Sequence, residues 1–226
     1  MTGDAAQSFG PHLIWRWWRM RVIAGVDHRE VIEKVEAESG WTSRYLLMTV
    51  MAAGIAMLGL LLSSPAVVIG AMLLSPLMGP IIGFGFSLAL FVFKEMRESL
   101  QALALGAVIA VLFAALIVLF SPIQTVTSEI AARTRPNLFD LIVAILSAIA
   151  GSYAMIRGRE GTIVGVAIAT ALMPPLATVG FGLATRNWTV FGGALLLFFT
   201  NLMAIALTAS VMARLYGFGS ALSPKQ

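Results

Sequence analysis

The sequence predicts an all-α integral membrane protein of six transmembrane helices, arranged as a 3+3 inverted repeat with broken second and fifth helices. Three observations predict it. First, 59% of the residues are hydrophobic and only 12% are charged, against roughly a quarter charged in soluble domains. Second, residues 64–93 carry no charge but hold Pro76 and Pro80, with Gly79, Gly83 and Gly85 beside them. An apolar stretch of that length spans a bilayer as a helix, and proline within it removes a donor and breaks the run. Third, the same pattern returns in residues 162–185, 95 positions further on. At that offset Gly70 matches Gly165, Leu77 and Met78 match Leu172 and Met173, and Pro80 matches Pro175. Gly85 and Phe86 then match Gly180 and Phe181, and Leu88 and Ala89 match Leu183 and Ala184. Paired prolines and glycines inside apolar spans are costly choices that chance rarely duplicates.

Composition also excludes several classes. No cysteine is present, so neither disulfides nor thiolate chemistry contribute. The net charge of +4 is read by position as an orientation signal rather than as affinity for nucleic acid.

The chain divides into a cytoplasmic or interfacial segment (1–40), a first repeat (41–120), an external loop (121–137), a second repeat (138–216) and a cytoplasmic tail (217–226). In the first segment Trp15, Trp17 and Trp18 alternate with Arg16, Arg19 and Arg21, a mixture suited to the headgroup layer and read as an interfacial anchor. Asp27 and Glu30 have capping-box spacing. They precede a short amphipathic helix with a Val31, Ile32, Val35 stripe and a Glu30–Lys34 pair at i,i+4. His12 and His28 read as isolated surface histidines.

Membrane segments are expected at residues 45–62, 66–93, 100–120, 138–156, 162–184 and 191–215, each long enough for a core of about 30 Å. Pro122 should stop the third and Pro136 should precede the entrance to the fourth. Of the 15 basic residues, Arg133, Arg135 and Arg186 fall on one side and the rest on the other, which puts both termini in the cytoplasm of a multi-pass protein of the cell membrane. Three crossings per repeat then force the second unit to enter from the opposite side.

The expected site is the pair of breaks. Pro76 frees the carbonyl of Met72, Pro80 that of Pro76, Pro174 that of Thr170 and Pro175 that of Ala171. Hydrocarbon leaves such groups unsatisfied at several kcal/mol each, so they must face protein, water or a solute. With the half-helix N–H groups beyond each break, they form a midplane site to which Ser75, Gly79, Gly83 and Thr178 also belong. Taken alone, Ser75, Thr170 and Thr178 read as hydroxyls bonded back to their own helix. Asn201 reads as interhelical glue, and Asp140 as a first-turn carboxylate at the fourth helix's entrance. No titratable side chain lies deep in a span, which argues against a buried proton relay.

The pattern points to a channel or transporter for a small ion or solute, of unspecified charge sign, with a membrane scaffold or regulatory subunit as the alternative. No catalytic constellation, metal motif or cofactor loop is present in the sequence, so no enzyme activity, metal or cofactor is expected. The partners expected are the bilayer, the solute and further copies in a homo-oligomer.

The strings VVIGAMLLSPLMGPIIGFGFSLA and GVAIATALMPPLATVGFGLATRNW strongly resemble the membrane proteins grouped as domain of unknown function 389. The resemblance covers residues 43–218 and implies a hydrophobic prokaryotic membrane protein, with no substrate or residue roles. At fold level alone, the arrangement is similar to trimeric intracellular cation channels, which also use a 3+3 inverted repeat with kinked middle helices.

Overall fold

The computed structural model describes Ile23, residues 25–158 and residues 161–219, with the side chains of residues 161–170 outside that description. The anchor residues Trp15, Arg16, Trp17, Trp18 and Arg19 therefore lie outside the described residues, as does the Thr170 side chain.

Helix α1 (His28–Ser39) starts where Asp27 accepts hydrogen bonds from the backbone N–H of Arg29 and Glu30, satisfying two donors that a helix start leaves free. Its ion pair is Arg29–Glu33 at 3.0 Å, in place of the expected Glu30–Lys34. Val31, Val35 and Ser39 are buried, so the predicted stripe does not lie free but packs against α4. Helix α2 (Ser43–Leu61) is capped by Thr42, whose hydroxyl accepts from the N–H of Tyr45. It buries a face of small residues including Ala52, Ala53 and Ala56. Gly59 lets it approach α3 so closely that an added Cβ would lie 2.9 Å from the backbone nitrogen of Val68.

The second predicted crossing is two helices, α3 (Pro65–Leu74) and α4 (Met78–Leu90), bent by 58° at the break. After the turn at Phe91 comes α5 (Phe93–Phe120), and the predicted external loop contains a short helix, α6 (Ser128–Ala132). Thr127 caps α6 and also donates its hydroxyl to the carbonyl of Leu60 at 2.7 Å, tying this loop to the end of α2. Helix α7 (Leu138–Arg157) opens with a reciprocal capping box between Asn137 and Asp140, which gives Asp140 a more specific role than its first-turn position. Helices α8 (Gly161–Ala184) and α9 (Trp188–Leu215) complete the chain.

Among the described residues, α2, α5, α7 and α9 are each long and apolar enough to cross a membrane, and the bent α3–α4 pair is a fifth candidate when the two helices are taken as one span. Helix α8 contributes the apolar stretch Ala171–Ala184. Their outer faces carry large exposed side chains such as Leu119, Phe139 and Leu146. Faces of this extent are untenable in water and are the lipid contact of a bilayer protein.

Helix ends recur at a spacing of 95 residues. The 28-residue helices α5 and α9 begin and end that far apart. The left-handed turn residues pair likewise: Ser63 (φ 50°) with Gly158 (φ 64°), and Phe91 (φ 57°) with Arg186 (φ 55°). Interior contacts follow. A Cβ on Gly85 would lie 2.6 Å from Ala209 Cβ and 2.7 Å from the Ala206 carbonyl oxygen, and one on Gly180 would lie 2.7 Å from both Ala114 Cβ and the Val111 carbonyl oxygen. Each partner is 95 residues from its counterpart. Small residues at these crossings let helix backbones touch, the packing that substitutes for a hydrophobic drive inside lipid.

Candidate functional site at the first proline break

The two proline pairs fold differently. At the first, Ser75 precedes Pro76 in an extended conformation (φ −71°, ψ 121°), as the steric demand of the proline ring requires. Helix α3 stops there with Ser75 N–H bonded to the Met72 carbonyl at 3.3 Å, and α4 restarts at Met78. Pro80 then falls in the first turn of α4, where a missing N–H costs nothing. Met72 is thereby supplied with a donor, whereas among the described residues no hydrogen bond reaches the carbonyl of Pro76.

The second pair does not break its helix, which corrects the predicted broken fifth segment. Pro174 and Pro175 lie inside the continuous α8. The carbonyl of Ala171, left without its usual donor by Pro175, accepts from Asn201 Nδ2 of α9 at 2.9 Å. Thr178 donates its hydroxyl to the Pro174 carbonyl at 2.9 Å. Asn201 is 3% exposed and Thr178 fully buried, so both bonds form where water is absent; that of Asn201 supplies a carbonyl whose loss of a donor would otherwise be expensive.

At the 95-residue spacing, Asn201 corresponds to Gly106 and Thr178 to Gly83. The first half thus has glycine at both positions, including the one whose amide supplies the Ala171 carbonyl in the second. These glycines admit other groups: the Tyr45 hydroxyl fills the space where a Gly106 Cβ would stand, and Ser39 Oγ fills that of Gly83. Tyr45 donates to the Ala102 carbonyl at 2.9 Å and leaves the break alone. Gly79 lies against the Glu38 carbonyl with no room for a side chain. The end of α1 is therefore seated on the break.

Beside this seat lies a cavity of about 680 Å³. Ser75, Pro76, Met78 and Gly79 form one wall, Tyr45 and Met48 of α2 and Met155 of α7 another, and Lys34, Glu38 and Arg44 its charged rim. The Ser75 hydroxyl is buried and has no hydrogen-bond partner. Among the described residues no ion pair joins Lys34, Glu38 or Arg44.

The structure thus brings Ser75, Pro76 and Gly79 together at one cavity, with Met72, Pro80 and Gly83 on the adjoining turns. No residue of α8 described here lines it, so Ala171, Pro174, Pro175 and Thr178 are not gathered with the first break. The cavity runs to the charged end of α2 rather than lying between two facing breaks. Sequence reasoning missed the seating of α1 and the tie made by His28, whose Nε2 lies 3.0 Å from the Tyr216 carbonyl and whose ring packs 4.6 Å from that of Phe218. It also missed Lys34 as a cavity residue. The one signal available was the glycine at each matched position, Gly83 and Gly106.

Helix length and apolar surface define a multi-pass α-helical membrane protein. The chain belongs to the family described as Domain of unknown function (DUF389), whose model matches residues 72–207. An uncharacterised protein of Methanocaldococcus jannaschii is 29% identical over 172 residues, covering 76% of this chain and 54% of the relative. The chain therefore spans about half the length of that relative. No solved structure matches it.

Proposed function

We propose that the protein is a channel or transporter for a small ion or solute, with its pathway entering at the break between α3 and α4. The observation that carries this reading is the cavity of about 680 Å³ whose wall, Ser75, Pro76, Met78 and Gly79, is the unmended break. In α8 the carbonyl that Pro175 frees, that of Ala171, is satisfied by Asn201. At the first break the Pro76 carbonyl has no such partner among the described residues, and Pro76 borders a space large enough for a hydrated ion or a small organic solute.

The architecture that goes with this reading is six crossings in two inverted units of three, with α3–α4 and α8 as the matched middle segments. Both termini are cytoplasmic, and copies associate in the membrane through their apolar faces. Support comes from the 95-residue recurrence of helix ends, left-handed turns and glycine contacts and from the distribution of basic residues. The pathway is asymmetric: one half supplies an open break and the other a rigid, proline-stiffened helix.

Flux in proteoliposomes against a panel of inorganic ions and small organic solutes tests the proposal. Transport of at least one species, altered by Pro80→Ala, is the expected result, and a tight vesicle for the whole panel contradicts it. The mended second break favours the other reading, a non-transporting scaffold or regulatory subunit, and a tight vesicle would leave that reading standing.

A further inference from the structure

Resting on the transport reading, we infer that the cavity at the first break selects small anions, and that Lys34 and Arg44 are the residues that set this preference. Three charged side chains border the cavity: Lys34 and Arg44 against Glu38. None is joined in an ion pair among the described residues; Lys34 and Glu38 stand one turn apart on α1 and offset each other, so the rim carries one net positive charge. Lys34 projects from the half-buried flank of α1, and Arg44 stands in the first turn of α2.

Full charges decide the sign. A unit charge acts on a nearby ion through its full Coulomb field. A neutral carbonyl such as that of Pro76 opposes this with a dipole only. No carboxylate other than Glu38 borders the cavity, whereas cation pathways are lined by carboxylates or by rings of carbonyls. An apolar wall on the α2 and α7 side, Met48 and Met155, concentrates the rim's field on whatever enters.

The test is the reversal potential of the full chain in planar bilayers under a potassium chloride gradient. The wild type should reverse near the chloride equilibrium potential, and the preference should weaken as bulk salt rises. Lys34→Gln and Arg44→Gln should each lower the chloride-to-potassium permeability ratio several-fold, and Lys34→Glu should invert it. Glu38→Gln should raise the ratio, an effect of opposite sign that loss of folding cannot imitate. A potassium-selective wild type, or a ratio untouched by Lys34→Gln and Glu38→Gln, overturns the anion assignment while leaving transport intact. A bilayer silent to every ion overturns the anion assignment, and the vesicle flux panel decides the transport reading separately.

Discussion

Asn201 donates its Nδ2 to the Ala171 carbonyl at 2.9 Å, and the residue matched to it 95 positions earlier is Gly106. This difference between an amide and a hydrogen atom separates the two halves of the molecule. Where the amide is present, consecutive prolines sit in an unbroken helix. Where it is absent, the helix comes apart and a cavity lies beside it.

Removing the amide should loosen the mended half. Asn201→Ala is expected to lower stability in detergent by about 1 kcal/mol, the scale of an interhelical hydrogen bond in a membrane. A cysteine at Thr178, protected in the parent, should then begin to react with a small aqueous thiol reagent. Unchanged thermal unfolding together with continued protection would show that Asn201 does not hold α8 together.

The glycines at the matched crossings should respond alike. Gly85→Ala and Gly180→Ala each place a methyl within 2.7 Å of a neighbouring alanine and a backbone oxygen, and overpacking of this kind costs about 1–3 kcal/mol. Gly70→Ala and Gly192→Ala meet nothing within 4 Å and should be neutral or mildly stabilising, since alanine is the better helix former. Parallel thermal melts of the four variants check this, and a large difference between the Gly85 and Gly180 variants would contradict the equivalence of the two crossings.

The seating of α1 should depend on pH. Glu95 stands in the first turn of α5, ahead of the apolar run that begins at Leu100, and it faces Glu36 of α1. Burial pushes its pKa above the ordinary carboxylate value, and the Glu36 charge, a hydrogen bond shared with Glu36 and the neighbouring Glu98 push the same way, with Lys94 opposing. A raised folded-state pKa means the proton favours the docked state. Its contribution is complete below the ordinary glutamate range and disappears as pH rises through the raised value. Wild-type protein should lose melting temperature across that window, and Glu95→Gln should flatten the dependence. Equal pH profiles for the two proteins would exclude the carboxyl pair as the cause.

Much of this architecture could be read from residue types. The membrane class followed from charge-free runs, the first break from Pro76 and Pro80, and the recurrence from matched prolines and glycines. The second break was misread for a physical reason: a proline pair frees carbonyls by local geometry, but whether they stay free depends on a side chain 30 residues away in another helix. Helix α6 was hidden because it is held by Thr127 reaching to Leu60 rather than by its own propensity. The docking of α1 was equally invisible, since Gly79 and Gly83 look the same in sequence whether they admit a ligand, a helix or nothing.

The measurement that bears most directly on the account is aqueous accessibility of single cysteines placed in this naturally cysteine-free chain, reconstituted in lipid. Ser75→Cys is nearly isosteric and lies in the cavity wall, whereas Thr178→Cys lies in the mended helix. The account predicts rapid modification of Cys at position 75 by a small membrane-impermeant reagent, blocked flux on modification, and protection at position 178. Protection at both positions, or equal reactivity at both, would contradict it.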